Sequence, residues 1–146
     1  MNDYLELKRR HQEEINAFPM AFAFNKKQFA EGMIKLGLEP TDTDKIFKFG
    51  DTGGFYRREH SEALISMLDR HEQEKWEAIH NDTTGEGFIF QMFDYELANH
   101  EYIITGQVDD TLRAVGISPE EVEKTPQLKH GLEKAQAAQF EHYGEA

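Results

Sequence analysis

Between Glu86 and Glu101 the chain reads EGFIFQMFDYELANHE, and this stretch restricts the possible folds more than any other. Wound as an α-helix, it places Phe88, Ile89, Met92, Phe93, Tyr95 and Leu97 over more than half of the circumference. A helix apolar over so wide an arc must be covered on most sides. The spacing therefore predicts a central helix over about 86–101, with other elements packed around it.

The rest of the chain supplies those elements. Asp3 is positioned to cap a first helix over about 4–17, with Tyr4, Leu7, His11 and Ile15 on one face, and Pro19 closes it. Met20–Phe24 reads as a short strand. Asn25 then caps a second helix through Leu36, with Phe29, Met33 and Leu36 as its buried stripe, Gly32 suited to close packing and Gly37 as the stop. Lys45–Phe49 alternates like a half-buried strand, and Gly50–Gly54 turns it back into Phe55–Arg57 as a hairpin. Ser61 opens a long helix to about His80. Tyr102–Thr105 reads as a candidate strand, Asp109–Val115 as a short helix, Pro119 as the start of a helical turn and Gln127–Tyr143 as the last helix.

A faint repeat links two of these segments. Phe29/Val108, Met33/Leu112, Leu36/Val115 and Leu38/Ile117 recur at matched distances before Pro40 and Pro119, with Gly37 and Gly116 as stops. It reads either as a strand–helix–Gly-x-x-Pro unit used twice, with both strands in one sheet, or as chance similarity of two helix ends. The fold expected is α+β: a helix-rich single domain, 1–146, with a small, largely antiparallel sheet from 20–24, 45–49, 55–58 and the candidate strand 102–105. At 146 residues, with eleven Phe, five Tyr and one Trp, one core can form without metal or disulfide help.

Charge and composition narrow the function. Residues 1–58 hold 10 Lys/Arg against 9 Asp/Glu, a net +1, whereas residues 59–146 hold 6 against 19, a net -13. Such a field repels phosphate and argues against direct nucleic-acid binding, but it attracts a basic surface on another protein. Asp69, Glu72, Glu74, Glu77, Asp82, Glu86, Asp109, Asp110, Glu120, Glu121 and Glu123 are the candidate acidic binding surface. The bland alternative is that this acidity only keeps the protein soluble. The chain has no cysteine, hence no thiolate metal site and no cysteine nucleophile. It shows no signal-peptide pattern and no membrane-length apolar run, so the expected location is cytoplasmic, away from membranes.

For chemistry the sharpest constellation is Glu96 and His100, four residues apart on the apolar face of the central helix, with His71 of the preceding helix as a possible third member. A carboxylate in low dielectric needs a proton, hydrogen bonds or an opposite charge, and the imidazole can supply the last. Two readings stand: a structural buried pair, or an alternative site for a small acid/base or metal-dependent enzyme. No second ligand pair of the kind found in helical metalloproteins accompanies them, so no metal and no cofactor is assigned. Asp51-Thr52-Gly53-Gly54 lacks the Lys-Ser/Thr of a phosphate loop and reads as a hairpin turn.

Phe22-Ala23-Phe24, Gln28–Met33, Lys35–Leu38, Gly53–Arg57, Arg70-His71-Glu72 and Tyr95–Tyr102 together resemble an uncharacterised family of small acidic proteins. The family is associated with gut Firmicutes and their plasmids, conjugative elements and phages. The resemblance runs from the first helix to about Gly116 and brings no catalytic residues with it. What it implies is genomic context. Together with the charge, it leads to the expectation of a non-catalytic interaction module. In that reading an anti-defence inhibitor presents its acidic surface to a nucleic-acid-binding effector such as a CRISPR nuclease or restriction enzyme.

Overall fold

The computed structural model describes residues 1–143. Among these, eight α-helices and a three-stranded antiparallel sheet form a helix-rich α+β fold, as the patterning predicts. The Cα packing divides the chain into two compact units, one of Met1–Arg10 with the chain from Glu74 onward, the other His11–Gln73. The boundaries fall within helices α1 (Asp3–Ala17) and α3 (Ser61–Asn81), so each unit includes part of both.

In the unit of residues 11–73 the sheet has the order β1 (Ala21–Phe22), β3 (Gly54–Arg57), β2 (Ile46–Phe49). Ala21 pairs with Phe55, and Lys48 pairs with Phe55 from the other side. Helix α2 (Lys26–Lys35) packs on the sheet through a cluster of Ala21, Met33, Leu36, Leu38 and Phe55. Asn25 caps it, its side-chain oxygen accepting the Gln28 N–H. Gly32 is the point of closest approach: a Cβ there would meet Phe55 Cζ at 2.7 Å and Ala21 Cβ at 3.0 Å, so the helix lies on the sheet only because the side chain is absent. A second cluster, Met20, Tyr56 and Leu64, includes Phe18 and Phe49 at its margin.

The other unit is built on α4 (Phe88–Asn99). Its Ile89, Met92, Phe93 and Leu97 are fully buried, and it packs most extensively on α8 (Pro126–Tyr143), then on α6 (Asp109–Val115). Gly131 permits the α4–α8 approach, since a Cβ there would meet Ile89 Cγ2 at 2.5 Å and the Gly85 carbonyl oxygen at 2.7 Å. Leu128, Leu132 and Ala135 complete the α8 stripe, and α7 (Pro119–Lys124) closes one side through Val122.

Three expectations need correction. Tyr102–Thr105 is a single helical turn, α5, and not a strand. It stands between two left-handed residues, Glu101 (φ 55°) and Gly106 (φ 68°), while Tyr102 is buried with its hydroxyl accepting a hydrogen bond from Gln136. The burial of one aromatic ring outweighs the β-propensity of Ile103 and Ile104. The first helix is capped by Asn2, one residue earlier than expected, its Oδ1 accepting the Leu5 N–H. The repeat survives at its helix ends only. The Leu38 N–H donates to the Met33 carbonyl and Ile117 to Leu112, while Gly37 (φ 79°) and Gly116 (φ 70°) donate to Ile34 and Arg113. Both helices thus end in the same glycine-centred cap, with its apolar contact between the residue after the glycine and the last turn. Only the first copy follows a strand, so the unit of strand plus helix is not repeated.

Candidate functional site

The eleven predicted acidic residues do not play one role. Asp82 serves the fold. Its Oδ2 accepts the N–H groups of Gly87 (3.1 Å) and Ile89 (2.9 Å), and its Oδ1 accepts that of Gly85 (2.9 Å) and the Thr84 hydroxyl (3.3 Å). Helix α4 begins after Gly87, which has no side chain to cap it, and the carboxylate of Asp82 takes that place. Burial works against the charge, yet the bonds from Ile89, Gly85 and Gly87 outweigh it and hold the carboxyl below its ordinary range.

Glu121 is likewise structural: its N–H donates to Ser118 Oγ and its carboxylate accepts the Ser118 N–H, each at 3.1 Å, a complete capping box for α7. Asp109, Asp110 and Glu120 occupy first turns of α6 and α7, where a negative charge also complements the helix dipole. Glu86 meets Lys134 at 2.5 Å and His130 at 3.6 Å, Glu123 meets Lys129 at 3.0 Å, and Asp110 meets Arg113 at 3.3 Å. The Lys134 hydrogen bond draws the Glu86 carboxyl below the usual range. On α3, Asp69, Glu72 and Glu77 are exposed and Glu74 is half-buried. Asp69, Glu77, Asp109 and Glu120 are exposed and make no ion pair among the described residues.

By unit, Met1–Arg10 with residues 74–146 carries 8 Lys/Arg against 17 Asp/Glu, a net -9; His11–Gln73 carries 8 against 11, a net -3. The acidity is therefore concentrated on the unit built around α4.

Glu96, His100 and His71 each have a different set of partners. Glu96 is buried at 3 % exposure, and its Oε1 stands 3.7 Å from Lys8 Nζ, an ion-pair distance too long for a hydrogen bond. Lys8 Nζ also lies 5.7 Å from the Tyr4 ring centroid and 5.4 Å from that of Tyr95. Burial, then the Glu96 carboxylate, push the Tyr4 hydroxyl far above its ordinary range. His100 turns back on its own helix, with Nδ1 2.8 Å from the Glu96 carbonyl oxygen rather than pairing with the carboxylate. His71 belongs to the other unit, where its ring stacks on His11 and its Nε2 lies 3.5 Å from Glu14 Oε1. Among the described residues no three His, Asp or Glu side chains are grouped so as to hold a metal ion.

The model of a family of unknown function, DUF7659, matches residues 3–138, nearly the whole chain. The chain belongs to that family. No curated protein matches it, and neither does any solved structure. Membership of DUF7659 supplies no ligand and no reaction, so any role must be argued from the residues. In this DUF7659 chain no helix among the described residues is long and apolar enough to cross a membrane.

Two features escaped sequence reasoning. Lys8, the partner of Glu96, shares a helix face with Tyr4 at i, i+4, a spacing that was available but not diagnostic. His11 stood on the predicted apolar face of α1, which signalled a half-buried imidazole without revealing its partner. The turn at Gly50–Gly54 is the hairpin turn expected, and beside it opens a cleft of about 510 Å³ floored by Ala23, Phe29, Ile46 and Phe55 with Lys48 and Asp51 at its rim.

Proposed function

We propose that this protein is a non-catalytic interaction module whose acidic unit docks on a basic surface of another protein. The observation that carries the reading is the net charge of -9 on one compact unit, with Asp109 and Glu120 exposed there and free of ion pairs among the described residues. Helix capping and the dipoles of α6 and α7 account for part of this acidity, but a surplus remains after every described ion pair has been formed. A surface of that sign steers a positively charged partner and excludes nucleic acid from itself. The partner class best suited is a protein whose groove is built for DNA or RNA, and an effector of nucleic-acid defence, countered by a protein of mobile-element origin, is the specific case to test first.

The experiment is capture of such an effector, for instance a guide-RNA nuclease, on the full chain across a salt series, with and without its own nucleic acid. Binding should weaken steeply between 50 and 500 mM salt and be displaced by the nucleic acid. Asp109→Asn with Glu120→Gln, which removes two exposed charges while keeping the helix starts polar, should weaken it further. Affinity that ignores both salt and these substitutions would remove the electrostatic mechanism.

A further inference from the structure

Within the unit of residues 11–73, α2 covers one face of the sheet only in part. Lys48 and Phe55 are paired directly across β2 and β3, and Ile46 stands two residues before Lys48, so all three side chains lie on the face that α2 packs against. The helix approaches that face most closely at Gly32, where Phe55 Cζ is 2.7 Å from the place a Cβ would take. Nearer the start of α2, Phe29 leans on Phe55 instead, with 5.0 Å between ring centroids and 42° between planes. Beside this aromatic pair opens the cleft of about 510 Å³ floored by Ala23, Phe29, Ile46 and Phe55. Gly50 lines it too, and a Cβ there would meet no heavy atom within 4 Å. A volume of that order suits a small organic molecule.

Lys48 is the unexpected residue in this lining. The alternation of β2 gives the α2-facing side to Ile46 and Lys48 and the opposite side to Phe47 and Phe49, so an ammonium group stands where another apolar residue would bury more surface. Arg57, on the same face, donates to the Leu36 carbonyl and pairs with Glu59, while Lys45 pairs with Asp42. Lys48 makes no side-chain hydrogen bond and no ion pair among the described residues. Asp51 lines the same cleft and is equally without an ion pair there.

We propose that this cleft is a binding site for a small organic acid, an aromatic or branched apolar body carrying one negative charge. The body lies against Phe29, Ile46 and Phe55, and the carboxylate meets the Lys48 ammonium at the mouth. Area removed from water supplies the affinity, and the single cation fixes the orientation. Asp51 limits the charge: Lys48 matches one carboxylate, and a second would meet the Asp51 carboxylate. The site draws on no residue of the acidic unit. A lysine pointing inward on an edge strand also discourages pairing with another sheet, and β2 is an edge strand. That role requires no cleft and no ligand, so experiment separates the two.

The test is a titration of the isotope-labelled full chain with phenylpropanoate and with isocaproate, followed through the backbone amide signals. Phenylpropanol and phenylpropylamine serve as the neutral and cationic counterparts. Both acids should shift the amides of Gly50, Gly53, Gly54 and Phe55 saturably. The alcohol and the amine should bind about three- to tenfold more weakly than phenylpropanoate, the worth of one solvent-exposed charge pair. Lys48→Met keeps the aliphatic stem and should erase the preference, so that acid and alcohol bind alike. Ala23→Leu fills the floor and should weaken both; if that variant does not fold, Thr43→Phe at the exposed rim occludes the same space. No saturable shift at these amides up to about 10 mM of either acid, an alcohol or amine that binds as well as the acid, or an acid preference that survives Lys48→Met would each overturn the proposal.

Discussion

Replacing Asp82 by Ala removes one carboxylate and leaves three backbone donors without their acceptor: the N–H groups of Gly85, Gly87 and Ile89. A net contribution of about 1 kcal/mol per hydrogen bond gives roughly 3 kcal/mol. Water reaching the half-buried Gly87 reduces that sum, whereas Gly85 and Ile89 are buried and recover little. The expected cost is about 2–4 kcal/mol, larger than that of an ordinary exposed cap, because the loop and the start of α4 depend on the same group. Asp82→Asn keeps one acceptor oxygen but turns an NH₂ toward an N–H, so it should recover less than half. Urea denaturation followed by circular dichroism at pH 7 measures both variants. The pH dependence follows from the depressed carboxyl: its stabilisation is present above the ordinary value near 3.8 and is lost as pH falls through the lower folded value. The gap between wild type and Asp82→Ala should therefore narrow as the solution is acidified below pH 4. An Asp82→Ala variant within about 0.5 kcal/mol of wild type at pH 7 would refute the assignment of Asp82 to the fold and return it to the pool of docking charges.

Gly131→Ala should destabilise by about 1–3 kcal/mol although alanine is the better helix former, because its Cβ meets Ile89 Cγ2 at 2.5 Å; thermal melting gives the sign. Gly85→Ala should be worse and hinder folding, since φ is +85° and the nearest obstacle is the Gln127 carbonyl oxygen, 2.2 Å from an added Cβ; yield of folded protein reports it. Lys8→Ala should cost about 1–2 kcal/mol by stranding the buried Glu96 carboxylate, while Glu96→Gln with Lys8→Ala should restore most of that loss, which a double-mutant cycle in urea resolves. Gly32→Ala should cost about 1–3 kcal/mol through its collision with Phe55 and Ala21, read as a lower denaturation midpoint at unchanged slope.

The elements read correctly from sequence were those with a local physical cause. The apolar arc around Phe88–Leu97 demanded burial whatever surrounded it. Asn25, Gly37, Gly116 and Pro119 punctuate the chain through backbone chemistry that depends on few distant contacts. Tyr102–Thr105 was misread because four residues give no period, and their state was decided by a tyrosine that packs beside α8, thirty-four residues away in sequence at Gln136. Gly32 was legible as a small residue on a buried stripe, whereas Gly131 was not, since nothing in LKHGLEK announces that Ile89 will press against it.

The candidate site divides along the same line. A sequence counts carboxylates but cannot say which of them the backbone will claim, and here the backbone claims Asp82 and Glu121 while lysines claim Glu86 and Glu123. Each such claim lowers the charge available to an outside partner without altering the formal total, so a net charge overstates the docking field wherever carboxylates also start helices. The charge left for a docking surface on the unit around α4 is consequently that of residues claimed by no cation or backbone donor, chiefly Glu77, Asp109 and Glu120. Asp109 and Glu120 sit in first turns, where a neutral polar residue serves the helix nearly as well as a charged one. If they are retained for a partner, neutralising them should leave the melting temperature almost unchanged and still weaken binding. If they serve only the helices, the melting temperature should fall and binding should stay as it was.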